Sequence, residues 1–322
     1  MKIAVIGAGL SGLATAWHIR HHHPSAKVTL FDEKGLGTGA SKIAGGLLHA
    51  YSGAHAKQAW QSDAALEEAK ALLDVASHVL NKPVYKKCGI LRVAVTDEQK
   101  EDFRHTAKAY NDVEWWSPHQ CQEAFSELLP HPGIFITSGI SVDCPLYLEG
   151  LLQACREQEV EFVIRHVDSL QELPGYDMAI FASGKGLINK PLLNVRLTKG
   201  QLLVLRYNKP LPFPIISEKY LTFGRDPGTV VAGATYERKW ATEDIEPHIA
   251  QADILAGIAA FAPIIATSPI LECRSAFRAW VPSHKPFVTQ IGQKEWAIGG
   301  LGSKGLLYHA WLGKRCAEAI SQ

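Results

Sequence analysis

Paired cysteines, long apolar runs and an excess of charge of either sign are all missing from this 322-residue sequence. Its six cysteines are scattered without a C-x-x-C pair, which excludes a dithiol redox site, a zinc knuckle and a disulfide scaffold. We therefore expect reduced thiols in a cytoplasmic protein. No run of about eighteen uninterrupted apolar residues occurs, so the sequence predicts neither a membrane span nor a secretory signal.

The charge balance and the missing motifs narrow the function classes further. Lysine and arginine number 33 against 32 aspartate and glutamate residues, so no strong field attracts nucleic acid or an anionic membrane. Basic residues cluster only locally, at 82–87, 196–199 and 314–315. The absence of G-x-S-x-G, H-E-x-x-H and Walker-type sequences leaves hydrolase and nucleotide-hydrolysing functions without support.

The first 32 residues carry the strongest pattern. An apolar run at 2–6 predicts a buried parallel strand, and the glycines after it, Gly7, Gly9 and Gly12, have the spacing G-x-G-x-x-G. A helical pattern follows, and a second apolar run ends on Asp32. Such a βαβ unit binds a dinucleotide, because the glycines admit the pyrophosphate and the acid accepts the ribose hydroxyls. A plain tight turn is the alternative, and Asp32 disfavours a 2′-phosphate.

Downstream of this unit the sequence predicts further α/β segments and then a change of architecture. The segment 34–53 is a glycine-rich loop of the kind that contacts ligands. A hairpin leading into a helix is predicted over 133–158, and 176–184 has the apolar character of a central parallel strand. Strands without intervening helices at 195–231 predict an antiparallel sheet in a second domain. A last strand, turn and helix, the helix running over 303–320, return to the first domain.

Several short motifs spread over nearly the whole chain carry a family resemblance. The glycine-rich start, "GASKIAGGLL", "LTKGQ", "GATY", "FRAWVPSHKP" and "GGLGSKGLL" together resemble the D-amino acid oxidase and glycine oxidase family of FAD-dependent amine oxidoreductases. Within that family, "DCP", "YLTF", "GATYER" and "GSKGL" are most similar to the FAD domain of the bifunctional enzymes that mature 5-methylaminomethyl-2-thiouridine in tRNA. The methyltransferase domain that is fused ahead of that FAD domain is absent from these 322 residues.

The resemblance implies an α/β fold with a Rossmann-like FAD-binding domain and a second, α+β substrate domain on an antiparallel sheet. The FAD-binding domain is expected at 1–80, 140–195 and 290–322, and the substrate domain at 81–139 and 196–289. FAD is the implied cofactor. The residues implied to bind it are Gly7, Gly9 and Gly12 at the pyrophosphate, Asp32 at the ribose, Ser41 near the phosphates, Val167 at the adenine, Gly45, Gly46 and Leu47 beside the flavin ring, and Gly302, Lys304 and Gly305 under its pyrimidine edge.

The resemblance also implies how substrate is held. Arg278, seven residues before Lys285, matches the arginine that binds the substrate carboxylate, and a guanidinium fork suits that task. Tyr220 in "YLTF" matches a position whose phenol reaches the same carboxylate. A structural arginine and a packed strand aromatic are the alternatives. His49 and His55 lie in the glycine-rich segment, but the sequence shows no partner for either.

The resemblance implies an FAD-dependent oxidoreductase that oxidises the C–N bond of a glycine-type amine by hydride transfer to flavin N5, giving an imine that hydrolyses. The substrate is then a small amine or amino acid. The alternative substrate is carboxymethylaminomethyluridine in tRNA, which the near-zero net charge disfavours without excluding. A NAD-linked dehydrogenase and a flavoprotein without turnover are the remaining alternatives. No metal and no membrane partner are expected.

Overall fold

The structure, a computed structural model, describes residues 1–320, and one of its two main layers is built on a mostly parallel sheet. The strand order in this six-stranded sheet is β11-β2-β1-β12-β19-β18, and only the edge strand β18 runs antiparallel. The bounds are β1 (Lys2–Ile6), β2 (Lys27–Asp32), β11 (Glu161–Ile164), β12 (Met178–Phe181), β18 (Phe287–Gly292) and β19 (Glu295–Gly299).

Both faces of this sheet are buried, which explains why its strands read as continuous apolar runs. Ile3 and Val5 of β1 face a core shared with four helices, whereas Ala4 and Ile6 face a second apolar cluster. The four helices pack on one another over the first face. They are α1 (Leu10–His22), α3 (Ser62–Val79), α6 (Cys144–Glu157) and α9 (Gly305–Ala319).

The second large layer is an eight-stranded sheet with its own core. Its order is β17-β13-β16-β15-β14-β7-β9-β8, and its pairs are antiparallel except β14 with β7. The bounds are β7 (Ile90–Val93), β8 (Val113–Trp116), β9 (Gly133–Ile136), β13 (Arg196–Arg206), β14 (Ile215–Ile216), β15 (Tyr220–Phe223), β16 (Thr229–Gly233) and β17 (Ile270–Trp280). The antiparallel sheet predicted from 195–231 is therefore confirmed.

Smaller elements complete the chain. A three-stranded sheet joins β3 (Leu47–Leu48), β10 (Ile140–Val142) and β6 (Tyr85–Lys87), and a short hairpin joins β4 (Tyr51–Ser52) to β5 (Lys57–Gln58). The remaining helices are α2 (Ala40–Ile43), α4 (Asp97–Ala109), α5 (Pro118–Ala124), α7 (Pro247–Ala259) and α8 (Pro263–Ala266). No helix within residues 1–320 is long and apolar enough to cross a membrane.

The hairpin predicted at 133–148 is wrong. Its two strands, β9 and β10, do not pair with each other: β9 pairs with β7 and β8, while β10 pairs with β3 and β6. The local turn signal is real, since the Gly139 N–H bonds to the Ile136 carbonyl. Partners distant in sequence nevertheless take the two strands into different sheets, which local sequence cannot reveal.

His309 on α9 is fully buried and is held as a neutral ring. Its Nδ1 lies 3.0 Å from the Leu306 carbonyl and 3.1 Å from the Gly305 carbonyl, so Nδ1 carries the proton. Nε2 then accepts from the Tyr147 hydroxyl at 2.7 Å. Burial is the main cause that lowers the pKa of His309 to about 4.

We predict that His309 makes the protein sensitive to acid. The unfolded chain binds a proton at this histidine below pH ~6.5, while the native state resists it, so the free energy of unfolding falls by about 1.4 kcal/mol per pH unit down to a pH of about 4. Urea unfolding at roughly pH 7.5 and pH 5 measures this slope. His309→Gln should remove the contribution of this residue and leave that of the buried His18 and His49, whose pKa values burial also lowers, while His105→Gln, at an exposed histidine, should leave the slope unchanged. An unchanged slope in His309→Gln would contradict the prediction.

Candidate active site

The glycine turn after β1 is packed so closely that side chains are excluded. A Cβ on Gly12 would lie 1.7 Å from the Gly7 carbonyl oxygen, and a Cβ on Gly7 would lie 2.6 Å from the Ala182 carbonyl oxygen. Gly7 also has φ +110°, a conformation that favours glycine. Gly9 caps α1 without a side chain. The N-terminus of α1 is therefore reached by backbone alone, as an anion cradle requires.

Asp32 and Ser41 hold this turn in place. The Asp32 carboxylate accepts from the Ala8 N–H at 2.8 Å and from the Lys34 and Gly35 N–H groups at 3.0 Å. Ser41 Oγ accepts from the Leu10 N–H at 3.2 Å, in the first turn of α1. Both side chains thus lie at the mouth of the glycine turn, and Asp32 has an anchoring role that sequence reasoning did not foresee.

The chain's last βα turn lies at the same edge of the six-stranded sheet. β1 and β19 run parallel to the strand between them, β12, so both carry their following turns at the carboxyl edge, where open α/β sheets bind ligands. A Cβ on Gly305, the first residue of α9, would lie 4.0 Å from the Leu10 side chain at the start of α1. The N-termini of two helices therefore converge, which favours an anionic ligand between them.

Three further residues that the sequence assigned to the cofactor lie around this edge. Gly302, with φ +56°, donates its N–H to the Ala279 carbonyl at 2.9 Å and so ties the turn to β17. Lys304 is the residue that precedes α9, and burial lowers its pKa. Val167 is buried beyond the end of β11, in the cluster that contains Phe31.

Gly45, Gly46 and Leu47 join this region to the second sheet. Gly46 has φ +72° and accepts from the Val142 N–H at 2.8 Å, which pins the segment to β10, and Leu47 begins β3. A Cβ on Gly45 would lie 2.6 Å from the ring of Tyr220. The glycine-rich segment therefore lies directly against the phenol.

Tyr220 is the contact between that segment and the second sheet. A Cβ on Gly233, its neighbour on β16, would lie 2.5 Å from the phenol oxygen, so glycines flank the ring. Burial, opposed by the positive charge of Arg278, raises the pKa of Tyr220 to about 12. The phenol therefore keeps its proton at neutral pH and can donate a hydrogen bond.

Arg278 on β17 lines a cleft between this strand and the turn before α9. Its Nη2 donates to the Thr235 carbonyl at 3.3 Å. The cleft is lined by Thr198, Tyr236, Arg278, Trp280, His284, Gly300, Leu301, Gly302, Ser303 and Lys304. The structure thus brings together Arg278 and the turn before α9, two features that are more than twenty residues apart in sequence.

Gly200 on β13 makes room for this arginine. A Cβ on Gly200 would lie 2.4 Å from Nη2 of Arg278, so the guanidinium rests on the bare backbone of the neighbouring strand. Sequence reasoning noted "LTKGQ" without giving Gly200 a role. A glycine inside an otherwise apolar strand was the available signal, because it marks a close approach by another group.

A buried polar network fixes β13 beside the cleft. Lys199 is completely buried, and its Nζ donates to Glu246 Oε2 at 2.6 Å and to the Thr242 carbonyl at 3.0 Å. Gln201 donates to Glu237 Oε1 at 3.0 Å and accepts from the Glu246 N–H. These contacts attach the loop before α7 to β13. This strand pairs with β17, which carries Arg278.

His55 has partners that the sequence did not reveal. Its Nδ1 lies 2.6 Å from Asp102 Oδ2 and 3.8 Å from Glu98 Oε1, both on α4. The pair attaches the turn of the short hairpin β4–β5 to that helix. His55 is thus engaged away from the cleft, while His49 has a buried Nδ1 without a partner in the described part of the chain.

We predict that Gly200→Ala weakens substrate binding through Arg278. The added methyl group displaces the guanidinium. If Arg278 binds a substrate carboxylate, as the family resemblance implies, KM should rise about tenfold while folding and cofactor content persist, as expected for one impaired charged hydrogen bond. Steady-state kinetics measure this change. In an Arg278→Ala background the same substitution should have no further effect, and an additive loss would show that Gly200 acts elsewhere.

A glycine cradle at two convergent helix N-termini, at the carboxyl edge of a parallel sheet, is the arrangement by which α/β proteins bind a dinucleotide. The chain belongs to the family described as FAD dependent oxidoreductase, whose model matches residues 2–319. The predicted family, fold class and cofactor are therefore confirmed. The glycine cradle, which a Cβ would fill, and the helix N-termini beside it fit the diphosphate of FAD.

Known proteins similar to this chain include curated relatives and solved structures. Uncharacterized oxidoreductase YurR of Bacillus subtilis (strain 168) is 25% identical, with 98% of this chain and 94% of that protein covered. D-aspartate oxidase 1 of Caenorhabditis elegans is 24% identical, with 86% and 82% covered. Glycine oxidase from Geobacillus kaustophilus has a TM-score of 0.85 at 19% identity, with 99% and 94% covered. These proteins lend no support to a tRNA substrate.

Proposed function

We propose that this protein oxidises the C–N bond of a glycine-type amine, a small molecule in which a primary or secondary amine lies next to a carboxylate. One observation carries the proposal: Arg278 lies in the same cleft as Gly302 and Lys304, in the turn that opens α9. A carboxylate clamp beside the expected flavin position orients a substrate for oxidation. Glycine oxidase and D-aspartate oxidase 1, named above, support the substrate class.

Arg278 binds the substrate carboxylate through its guanidinium fork. Tyr220 keeps its proton, because its pKa is about 12, and donates a hydrogen bond to the same carboxylate. With the carboxylate held, the bond between the α-carbon and its hydrogen is directed towards the cofactor. When bound, FAD supplies the acceptor for the hydride. Neither Arg278 nor Tyr220 acts as a base, so the substrate amine enters the reaction unprotonated.

The cofactor would be held by the residues around the carboxyl edge of the six-stranded sheet. Gly7, Gly9 and Gly12 receive the pyrophosphate, Asp32 the ribose and Ser41 the phosphate region. Val167 binds adenine through its backbone, Gly45, Gly46 and Leu47 pass beside the flavin, and Gly302, Lys304 and Gly305 lie at its pyrimidine edge. With FAD bound in this way, the positive end of α9 would suit the negative charge that a reduced flavin carries at its pyrimidine edge.

The proposal also divides the chain into two domains. Segments 1–80, 140–195 and 290–322 form the FAD-binding domain, and segments 81–139 and 196–289 form the substrate domain. The parallel and antiparallel sheets support this division. Two strands do not follow these boundaries. β6 lies within 81–139 but pairs with β10 of the FAD-binding domain, and β18 of the six-stranded sheet begins at Phe287, before residue 290. The last two residues of 290–322 lie outside the described residues.

Flavin reduction without oxygen tests the proposal. The purified holoenzyme is mixed anaerobically with glycine, sarcosine, D-alanine or D-aspartate, and the loss of oxidised flavin absorbance is followed. We expect at least one of these amines to bleach the flavin and to release peroxide once oxygen is admitted. If neither these amines nor the dianionic glycine-type amines described below bleached the flavin, the proposed function would be wrong, and bleaching by NADH alone would indicate a nicotinamide-linked enzyme. A tRNA that carries carboxymethylaminomethyluridine forms a separate arm.

A further inference from the structure

The mouth of the active-site cleft holds more positive charge than one carboxylate needs. Arg278 and Lys304 line the cleft, and Arg238 and Arg196 lie against its aromatic residues. Within residues 1–320, none of these four cations has a carboxylate oxygen within 4.0 Å. No aspartate or glutamate lines the described cleft either. The charge is therefore available to a ligand.

The positions of these cations follow from strand geometry. Arg196 and Trp280 are register partners on β13 and β17, as are Thr198 and Arg278. Residues two apart on a strand share a face, so all four side chains project from one face of this strand pair. The guanidinium of Arg196 lies 5.7 Å from the Trp280 ring centroid, at the outer end of the row that begins at Arg278.

Arg238 approaches the same place from the loop after β16. Its guanidinium lies 5.5 Å from the ring centroid of Tyr236 and 5.7 Å from that of Trp280. The guanidinium of Arg278 lies 6.0 Å from the same Tyr236 ring. Both arginines therefore lie near the ring of Tyr236. Arg278 is the deeper one, in the cleft, and Arg238 is exposed at the mouth of the cleft.

Stacking and hydrogen bonding position the aromatic side chains at the mouth of the cleft. His284 stacks on Trp280 with ring centroids 5.2 Å apart and planes 2° apart, and Trp280 Nε1 donates to Thr198 Oγ1 at 2.9 Å. Arginines that rest on aromatic rings lose little freedom when they bind an oxyanion, because the ring already orients the guanidinium. A bidentate acceptor, such as a carboxylate or a phosphonate, matches that geometry.

We propose that the substrate carries a second oxyanion on its amine substituent, and that Arg238 binds it with Arg196 alongside. The inference rests on the proposed function, in which Arg278 binds the first carboxylate. It assigns the substrate to the dianionic glycine-type amines, in which a carboxylate or a phosphonate lies two bonds beyond the amine nitrogen. Lys304, next to α9, is left to the cofactor.

Matched substrates test this specificity on the holoenzyme. Iminodiacetate carries the second carboxylate, N-(carbamoylmethyl)glycine replaces it by a neutral amide of the same shape, and N-(phosphonomethyl)glycine replaces it by a phosphonate. We expect kcat/KM for one of the dianions to exceed that of the amide by about tenfold to a hundredfold, as for one charged hydrogen-bonded contact. The carboxylate and phosphonate arms show which oxyanion the mouth prefers.

Variants test whether Arg238 causes the preference for dianionic substrates. Arg238→Ala should bring the ratio of kcat/KM for the dianion to kcat/KM for the amide close to one, whereas Arg238→Glu should invert this ratio. Arg225→Ala is the control. It removes one positive charge at an exposed arginine in the turn between β15 and β16, and it should change kcat/KM for neither the dianion nor the amide. If Arg238 only packed on Trp280, Arg238→Ala would lower kcat/KM for dianion and amide alike.

A binding measurement without turnover separates the two proposals. Glutarate has the shape of iminodiacetate but cannot be oxidised at a C–N bond, and pentanoate lacks its second carboxylate. Perturbation of the flavin spectrum should give a dissociation constant at least tenfold lower for glutarate, and Arg238→Ala should abolish the difference. Bleaching by amines without any preference for dianions would overturn this inference alone. Failure of every amine to bleach the flavin would overturn the proposed function.

Discussion

Replacing Arg278 by alanine should lower kcat/KM for a glycine-type amine by about a hundredfold to a thousandfold, with flavin content unchanged. Under the proposed function, the substitution leaves the substrate carboxylate without its charged partner, because Arg278 is the arginine that lines the described cleft, while Arg196 and Arg238 lie at its mouth. Losing a paired, charge-assisted contact of this kind costs roughly 3–4 kcal/mol of transition-state stabilisation. Stopped-flow flavin reduction under anaerobic conditions measures the step directly.

Two further variants give this prediction its controls. Arg278→Lys keeps the charge but loses the fork, and it should recover only part of the activity. Arg274→Ala removes an arginine from the same face of β17, where Arg274 is paired with Glu272 at 2.6 Å outside the cleft. It should leave kcat/KM unchanged. Equal losses in Arg274→Ala and Arg278→Ala would indicate a general effect on the sheet and would remove Arg278 from the site.

Replacing Gly12 by alanine should abolish FAD binding. The added Cβ would lie 1.7 Å from the Gly7 carbonyl oxygen, so the turn and the N-terminus of α1 must move apart. We expect a colourless protein that is destabilised by roughly 3 kcal/mol or more, since backbone rather than a flexible side chain blocks the methyl group. Flavin absorbance per chain and urea unfolding report the two effects separately.

Gly39→Ala is the matched comparison for the glycine turn. Gly39 is exposed, lies in the next glycine-rich segment and has nothing within 4 Å of its would-be Cβ. The variant should bind FAD at the level of the unmodified protein. If Gly12→Ala also stayed yellow with full stoichiometry, the turn would not be the cofactor cradle.

The opening βαβ unit could be predicted from sequence because its determinants are local. A buried strand, a glycine turn and a helix each follow from neighbouring residues, and Asp32 lies at a distance set by one helix and one strand. The antiparallel sheet was also predictable, because successive strands without intervening helices are compatible with few other architectures. The motifs for the family, and with it FAD, were also present in the sequence.

Other features depend on contacts between residues distant in the chain. β9 and β10 follow each other directly yet enter different sheets, and His55 meets Asp102 only because the hairpin packs on α4. Gly200 acquires its place from the arginine that lies over it. Such relations are decided by which strands pair, and pairing depends on the whole core rather than on local preference.

The amino-acid sequence alone determined the class of cofactor, the two kinds of sheet and the identity of Arg278 as a candidate clamp. Only the tertiary structure decided that Arg278 and the turn before α9 line one cleft, and that Arg196 and Arg238 lie against Trp280 without acidic partners among the described residues. The physical reason is that a motif of strand, turn and helix is set by short-range sterics and burial. A cleft arises where separate sheets meet, and its charge is the sum of side chains from several distant segments.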